Sequence, residues 1–142
     1  MPIDDAKLHT ILTAIHGQLT EREASAIIDV ARLAASVDKK SDVGEMAVLI
    51  QLCGHLTQMA KMEGLPFPTK AIDEDRLLDI SDSLIPTGAR ELAYACAYLV
   101  MVSDQKITAE EAKLTTMLGD AMVIDPGRAK QLAAEMEALV RS

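Results

Sequence analysis

The eight residues Asp38-Lys39-Lys40-Ser41-Asp42-Val43-Gly44-Glu45 are echoed 66 positions later by Asp104-Gln105-Lys106-Ile107-Thr108-Ala109-Glu110-Glu111. In both places an alanine-rich apolar run precedes the Asp and another apolar run follows the Glu. An acidic pair at fixed spacing between two such runs, present in both halves, marks a duplicated helix-loop-helix unit. Neither half is long enough to bury its apolar face alone, so the two must share one core. The expectation is one all-α domain over residues 1–142: repeat one at about 20–64, a connector at about 65–86, and repeat two at about 87–140.

Composition agrees. Apolar residues make up 49% of the chain, which argues against disorder despite a net charge of −8. Phe67, Tyr94 and Tyr98 are the whole aromatic stock, so Leu, Ile, Val, Ala and eight Met must fill the interior. That vocabulary favours helices over sheet. The acidic balance, with Lys39-Lys40 the only adjacent basic pair, excludes nucleic acid as an expected partner. No apolar run approaches the roughly 20 residues needed to span a bilayer, so direct membrane insertion is not expected. Met1-Pro2-Ile3-Asp4-Asp5 lacks the charge and apolar stretch of a secretory leader, which points to a cytoplasmic protein. Cys53 and Cys96 sit among apolar residues and do not correspond between the repeats, as reduced core thiols would.

Helix starts are legible along the chain. Asp4 or Asp5 can cap a first helix carrying Leu8, Ile11, Leu12 and Ile15, ended by Gly17. Thr20-Glu21-Arg22-Glu23 is a capping box and opens a helix to about Val37 with a narrow polar stripe of Ser25, Asp29, Arg32 and Ser36. Asp42 to Glu45 has the same spacing, and the third helix turns Met46, Leu49, Ile50, Cys53 and Ala60 inward, stopping near Gly64. Leu65-Pro66-Phe67-Pro68 cannot continue it, and a short helix is expected over Asp73 to Leu84. The run from Thr87 to Ser103 is apolar on nearly every side and belongs at the centre of a bundle. Thr108-Ala109-Glu110-Glu111 is a further capping box for a sixth helix to about Met122. Asp125-Pro126 starts the last, with Ala129, Leu132, Ala133, Met136, Leu139 and Val140 inward and Arg128, Gln131, Glu135 and Arg141 facing water. The count is seven.

Two readings of the acidic pairs remain open. In the first, Asp38 and Asp104 accept hydrogen bonds from loop N–H groups, while Glu45 and Glu111 are third-position members of capping boxes. The motif then only fixes the angle between two helices. In the second, each pair converges on a hard cation such as Ca²⁺ or Mg²⁺, helped by Asp42 or Thr108. The loops are not EF-hands: Lys40 and Lys106 stand at the third position, Leu49 and Thr115 at the twelfth.

The pattern of Ala-rich helix, Asp, short loop, Glu and helix resembles the tellurite-resistance TerB-like family. Residues Leu99 to Glu111 carry the likeness best, with Leu33 to Glu45 as the degenerate partner; it spans roughly residues 20 to 140. The resemblance implies a compact bundle of about seven helices whose helix-loop-helix repeats are related by a pseudo-twofold axis. It also implies a role in resistance to tellurite and related stress, with Asp38, Glu45, Asp104 and Glu111 as candidate metal ligands. Where the family usually has Gly after the Asp, this chain has Lys39 and Gln105.

Catalytic signals are missing. No Glu-x-x-His, Gly-rich phosphate loop or Gly-x-Ser-x-Gly turn occurs. His9 and His16 are expected on the solvated face of the first helix, and His55 on a wet stripe with Gln51 and Gln58. The expectation is therefore a non-enzymatic protein with no organic cofactor, which engages a protein partner or a divalent cation. The alternative is a metal-free interaction scaffold whose acidic pairs are structural caps.

Overall fold

The computed structural model describes residues 4–36, 43–61, 87–103 and 109–141. They form six α-helices: α1 Asp5–Ile15, α2 Glu21–Ser36, α3 Val43–Met59, α4 Thr87–Val102, α5 Ala109–Ala121 and α6 Pro126–Arg141. No strand occurs among the described residues, so the chain is all-α there. The short helix expected over Asp73 to Leu84 lies outside them.

Helix α4 is the axis of the bundle. Every residue from Leu92 to Val102 is buried, and α4 packs against all five other helices, most extensively α2 and then α6. A helix buried all round must be apolar all round, as the uninterrupted run Leu92-Ala93-Tyr94-Ala95-Cys96-Ala97-Tyr98-Leu99 is. Alanines at Ala93, Ala95 and Ala97 on α4, and at Ala24, Ala31 and Ala34 on α2, keep both surfaces low enough for close approach. Leu52, Leu56, Leu114, Leu118, Leu132 and Met136 close the core from α3, α5 and α6.

Three of the expected caps lie among the described residues and form, while those starting at Asp42 and Thr108 lie outside them. Asp4 caps α1, its Oδ1 accepting from Lys7 N at 3.0 Å. In the box that opens α2, Thr20 N donates to Glu23 Oε1 at 2.9 Å and Glu23 N donates to Thr20 Oγ1 at 3.1 Å. Asp125 Oδ2 accepts from Gly127 N and Arg128 N at the head of α6. The exit of α5 is a Schellman motif: Ile124 N donates to Gly119 O and Val123 N to Asp120 O. Its left-handed position, normally glycine, holds Val123 at φ 53°. A β-branched residue there is strained, and its side chain is 76% exposed.

Helix α1 ends at Ile15, with His16 as its cap in extended backbone at φ −161°, at the stop expected before Gly17. Two expectations need correction. On α3 one expected inward residue is turned out, while Leu49 is buried and Cys53 and Ala60 pack partly buried against the core. Ile50 is 62% exposed, and the buried stripe is Val48, Leu49, Leu52, Leu56 and Met59. The helix is apolar on more than one side, so periodicity alone left its facing undecided. Arg128 does not simply face water: its Nε donates to Glu91 Oε1 on α4 at 2.9 Å.

Candidate functional site

The four expected acidic residues are unevenly placed. Asp38 and Asp104 lie outside the described residues. Glu45 lies in the first turn of α3, its side chain also outside the description. Glu111 sits in the first turn of α5 and is 0% exposed. One turn on, Thr115 Oγ1 donates to the Glu111 carbonyl at 2.9 Å and lies 3.8 Å from Met101 Sδ on α4. The Glu111 carboxylate is thus enclosed where α5 enters the core beside the end of α4.

A second polar constellation lies between α1 and α3. Asp5 and His9 are four residues apart on α1, and Gln51 and His55 four apart on α3, so each pair shares a helix face. Gln51 Nε2 donates to Asp5 Oδ1 at 2.9 Å, and His55 Nε2 lies 3.2 Å from the same oxygen. The His9 and His55 rings meet with centroids 5.7 Å apart and planes tilted by 38°. The Gln51 hydrogen bond first, then that of His55, lowers the Asp5 pKa below its ordinary value.

This cluster overturns the expectation for His55, whose side chain is only 12% exposed. It also separates His9 from His16. His16 leaves the helix and packs over Gly88 in the first turn of α4, where an added Cβ would fall 2.5 Å from His16 Nδ1. The spacings Asp5-x-x-x-His9 and Gln51-x-x-x-His55 were visible in the sequence. The packing of α1 on α3, which joins them, was not.

Other polar groups in the core tie helices together. Tyr98 Oη donates to Glu137 Oε1 at 2.7 Å, joining α4 to α6. Burial pushes the Tyr94 phenol above its usual value. Cys53 and Cys96 are free thiols, and burial raises both, Cys96 strongly. A thiol held in its neutral form is a poor nucleophile. An open groove of about 430 Å³ runs between α1 and α6, lined by Ala6, Lys7, Thr10, Ile11, Ala138 and Leu139. Among the described residues no helix is long and apolar enough to cross a membrane.

No family model, no curated protein and no solved structure matches the chain.

Proposed function

We propose that this chain is a TerB-like stress-response protein of the tellurite-resistance type, acting by binding rather than turnover in the cytoplasm. Its ligand is a protein partner or a divalent cation, Ca²⁺ or Mg²⁺, held at the acidic elbows by Asp38, Glu45, Asp104 and Glu111. The observation that carries the reading is the complete burial of Glu111 at the head of α5. A carboxylate removed from water costs several kcal/mol, on the order of what donors or a cation must return. Burying one at the matched position of a repeated motif is therefore a choice with a consequence.

The packing of α2 on α3 and of α4 on α5, with α2 and α4 forming the widest seam, supports two helix-loop-helix repeats facing each other. On this reading the expected seventh helix falls within Asp73 to Leu84, outside the described residues, and the two repeats are related by the pseudo-twofold axis that the proposed family implies.

A second reading is favoured by Glu23. That glutamate is also buried, at 8% exposure, and its Oε1 accepts from the Thr20 backbone N–H. Thr108 and Glu111 have the same spacing, so a metal-free interaction scaffold with structural caps follows from the same chemistry. Calorimetric titration with Ca²⁺ and Mg²⁺ separates the two. Millimolar ion that gives heat, raises the melting temperature and loses both effects in Glu111→Gln supports the cation site. No heat and an unmoved melting temperature leave the scaffold. In that case Glu111→Gln costs about 1 kcal/mol or less, as the loss of a cap does.

A further inference from the structure

We propose that the outward face of α3 is a self-association surface, through which two copies of this chain pair about a two-fold axis. The proposal does not rest on the acidic elbows or on what they bind.

Charge singles the face out. The chain has a net charge of −8, yet from Met46 to Ala60 it holds no Asp, Glu, Lys or Arg. The other helices with an exposed side show charges to water: Asp5 and Lys7 on α1, Glu21 and Arg22 on α2, Lys113 and Asp120 on α5, Lys130 and Glu135 on α6. On α3 the side turned from the core reads Ala47, Ile50, Gly54, Thr57 and Gln58, residues three and four apart on one helix face. The Thr57 hydroxyl donates to the Cys53 carbonyl of its own helix, so it makes no polar demand on a partner. Among the described residues, Ile50 and Val123 are the large apolar side chains left exposed. A single exposed isoleucine is ordinary on a folded protein. One set in the middle of an uncharged face is suited to contact.

Gly54 supplies the fit. Its backbone is helical and an added Cβ there meets nothing within 4 Å, so neither a turn nor packing inside the chain calls for glycine. Glycine weakens a helix interior relative to alanine. What it provides is a hollow one turn, about 6 Å, along the helix from the Ile50 bump. Two α3 helices crossing antiparallel, with the two-fold axis between these positions, place Ile50 of each copy over Gly54 of the other and Ala47 opposite Thr57. An unrelated partner would need its own matching bump and hollow. A second copy already has them, and a two-fold pairing uses both. Charge favours the same occupant: two chains of −8 repel across any acidic face, and this face brings the fewest charges together. Three turns of one helix bury less than the roughly 1,000 Å² of a stable interface, so the pair is weak, with a dissociation constant on the order of 0.1 mM.

The test is sedimentation equilibrium of the full chain from about 10 µM to 1 mM, where a monomer–dimer equilibrium is expected. Gly54→Ile sets bump against bump and Ile50→Gly sets hollow against hollow, and each weakens association about tenfold or more. Combining Ile50→Gly with Gly54→Ile exchanges bump and hollow, and restores the dissociation constant to within about threefold. A face covered by anything other than a second copy gives no such rescue. Ile50→Gln keeps a good helix former at an exposed position, so it leaves the melting temperature of the dilute chain unchanged while weakening the pair about tenfold. A chain that stays monomeric to about 1 mM, a dimer indifferent to the single variants, or a double variant no tighter than the singles overturns the proposal.

Discussion

The seam between α2 and α4 and the seam between α1 and α3 are built on opposite principles. At the first, a continuous apolar helix meets an alanine-rich partner, and the wide contact buries Ile27, Ala31, Ala34, Leu92 and Leu99 completely. At the second, the contact is small and its visible ties are polar: an aspartate, a glutamine and two imidazoles, with Asp5 itself exposed. Buried apolar area is worth about 25 cal/mol per Å² and does not depend on pH. Exposed polar ties contribute on the order of 0–1 kcal/mol each and respond to protons, salt and metals. The first seam therefore sets whether the protein folds. The second can change state while the fold survives.

That contrast can be broken by mutation, and the largest effect belongs to the core. Leu99→Ala, in the fully buried middle of α4, is expected to cost about 2–5 kcal/mol, read as a fall in the denaturation midpoint. A loss below about 1 kcal/mol would mean that α4 is not the axis of the bundle.

Gly88→Ala comes next, at about 1–2 kcal/mol, since the new methyl would displace a half-buried imidazole close to its own Cβ. In a His16→Ala background the clash is gone. The same change should then become neutral or stabilising, because Ala is the better helix former. A double-mutant cycle measures the difference.

Thr20→Ala removes the reciprocal cap of α2 and should cost about 1 kcal/mol by thermal denaturation.

Asp5→Asn has the smallest effect, and it lies on the α1–α3 seam. The folded pKa of Asp5 is lowered from 3.8, so the charged form is favoured by folding. Its contribution is present above that value and is lost as pH falls through the folded pKa. The variant should flatten the acid limb of the stability profile below about pH 4 and leave the neutral melting temperature nearly unchanged. A large drop at neutral pH would show the second seam to be as structural as the first.

The capping rules read the chain well because they are local. Thr20 with Glu23, Asp4 with Lys7, and Asp125 with Arg128 interact within one turn, so spacing alone located them. Helix α4 was equally plain, since an apolar run without a polar side has only one place to go. Ile50 shows where that logic stops. When several faces of a helix are apolar, the neighbours choose which is buried, and α3 turned Leu52 and Leu56 inward. The acidic motif was evident as a repeat, but whether Glu111 meets donors or an ion is set by what surrounds it in space.

From the sequence alone came the all-α character of the described residues, most of their helix limits, the central helix and the caps at Asp4, Thr20 and Asp125, all consequences of interactions within four residues along the chain. Tertiary structure alone decided that His55 leaves water to meet Asp5 and His9, that His16 settles over Gly88, and that Glu111 is enclosed while Ile50 is not. Those outcomes depend on which helices become neighbours across 46 to 50 residues of chain, as between Asp5 and its partners Gln51 and His55. Local spacing carries no record of such neighbours, because they are selected by the sum of all packing and not by any one motif.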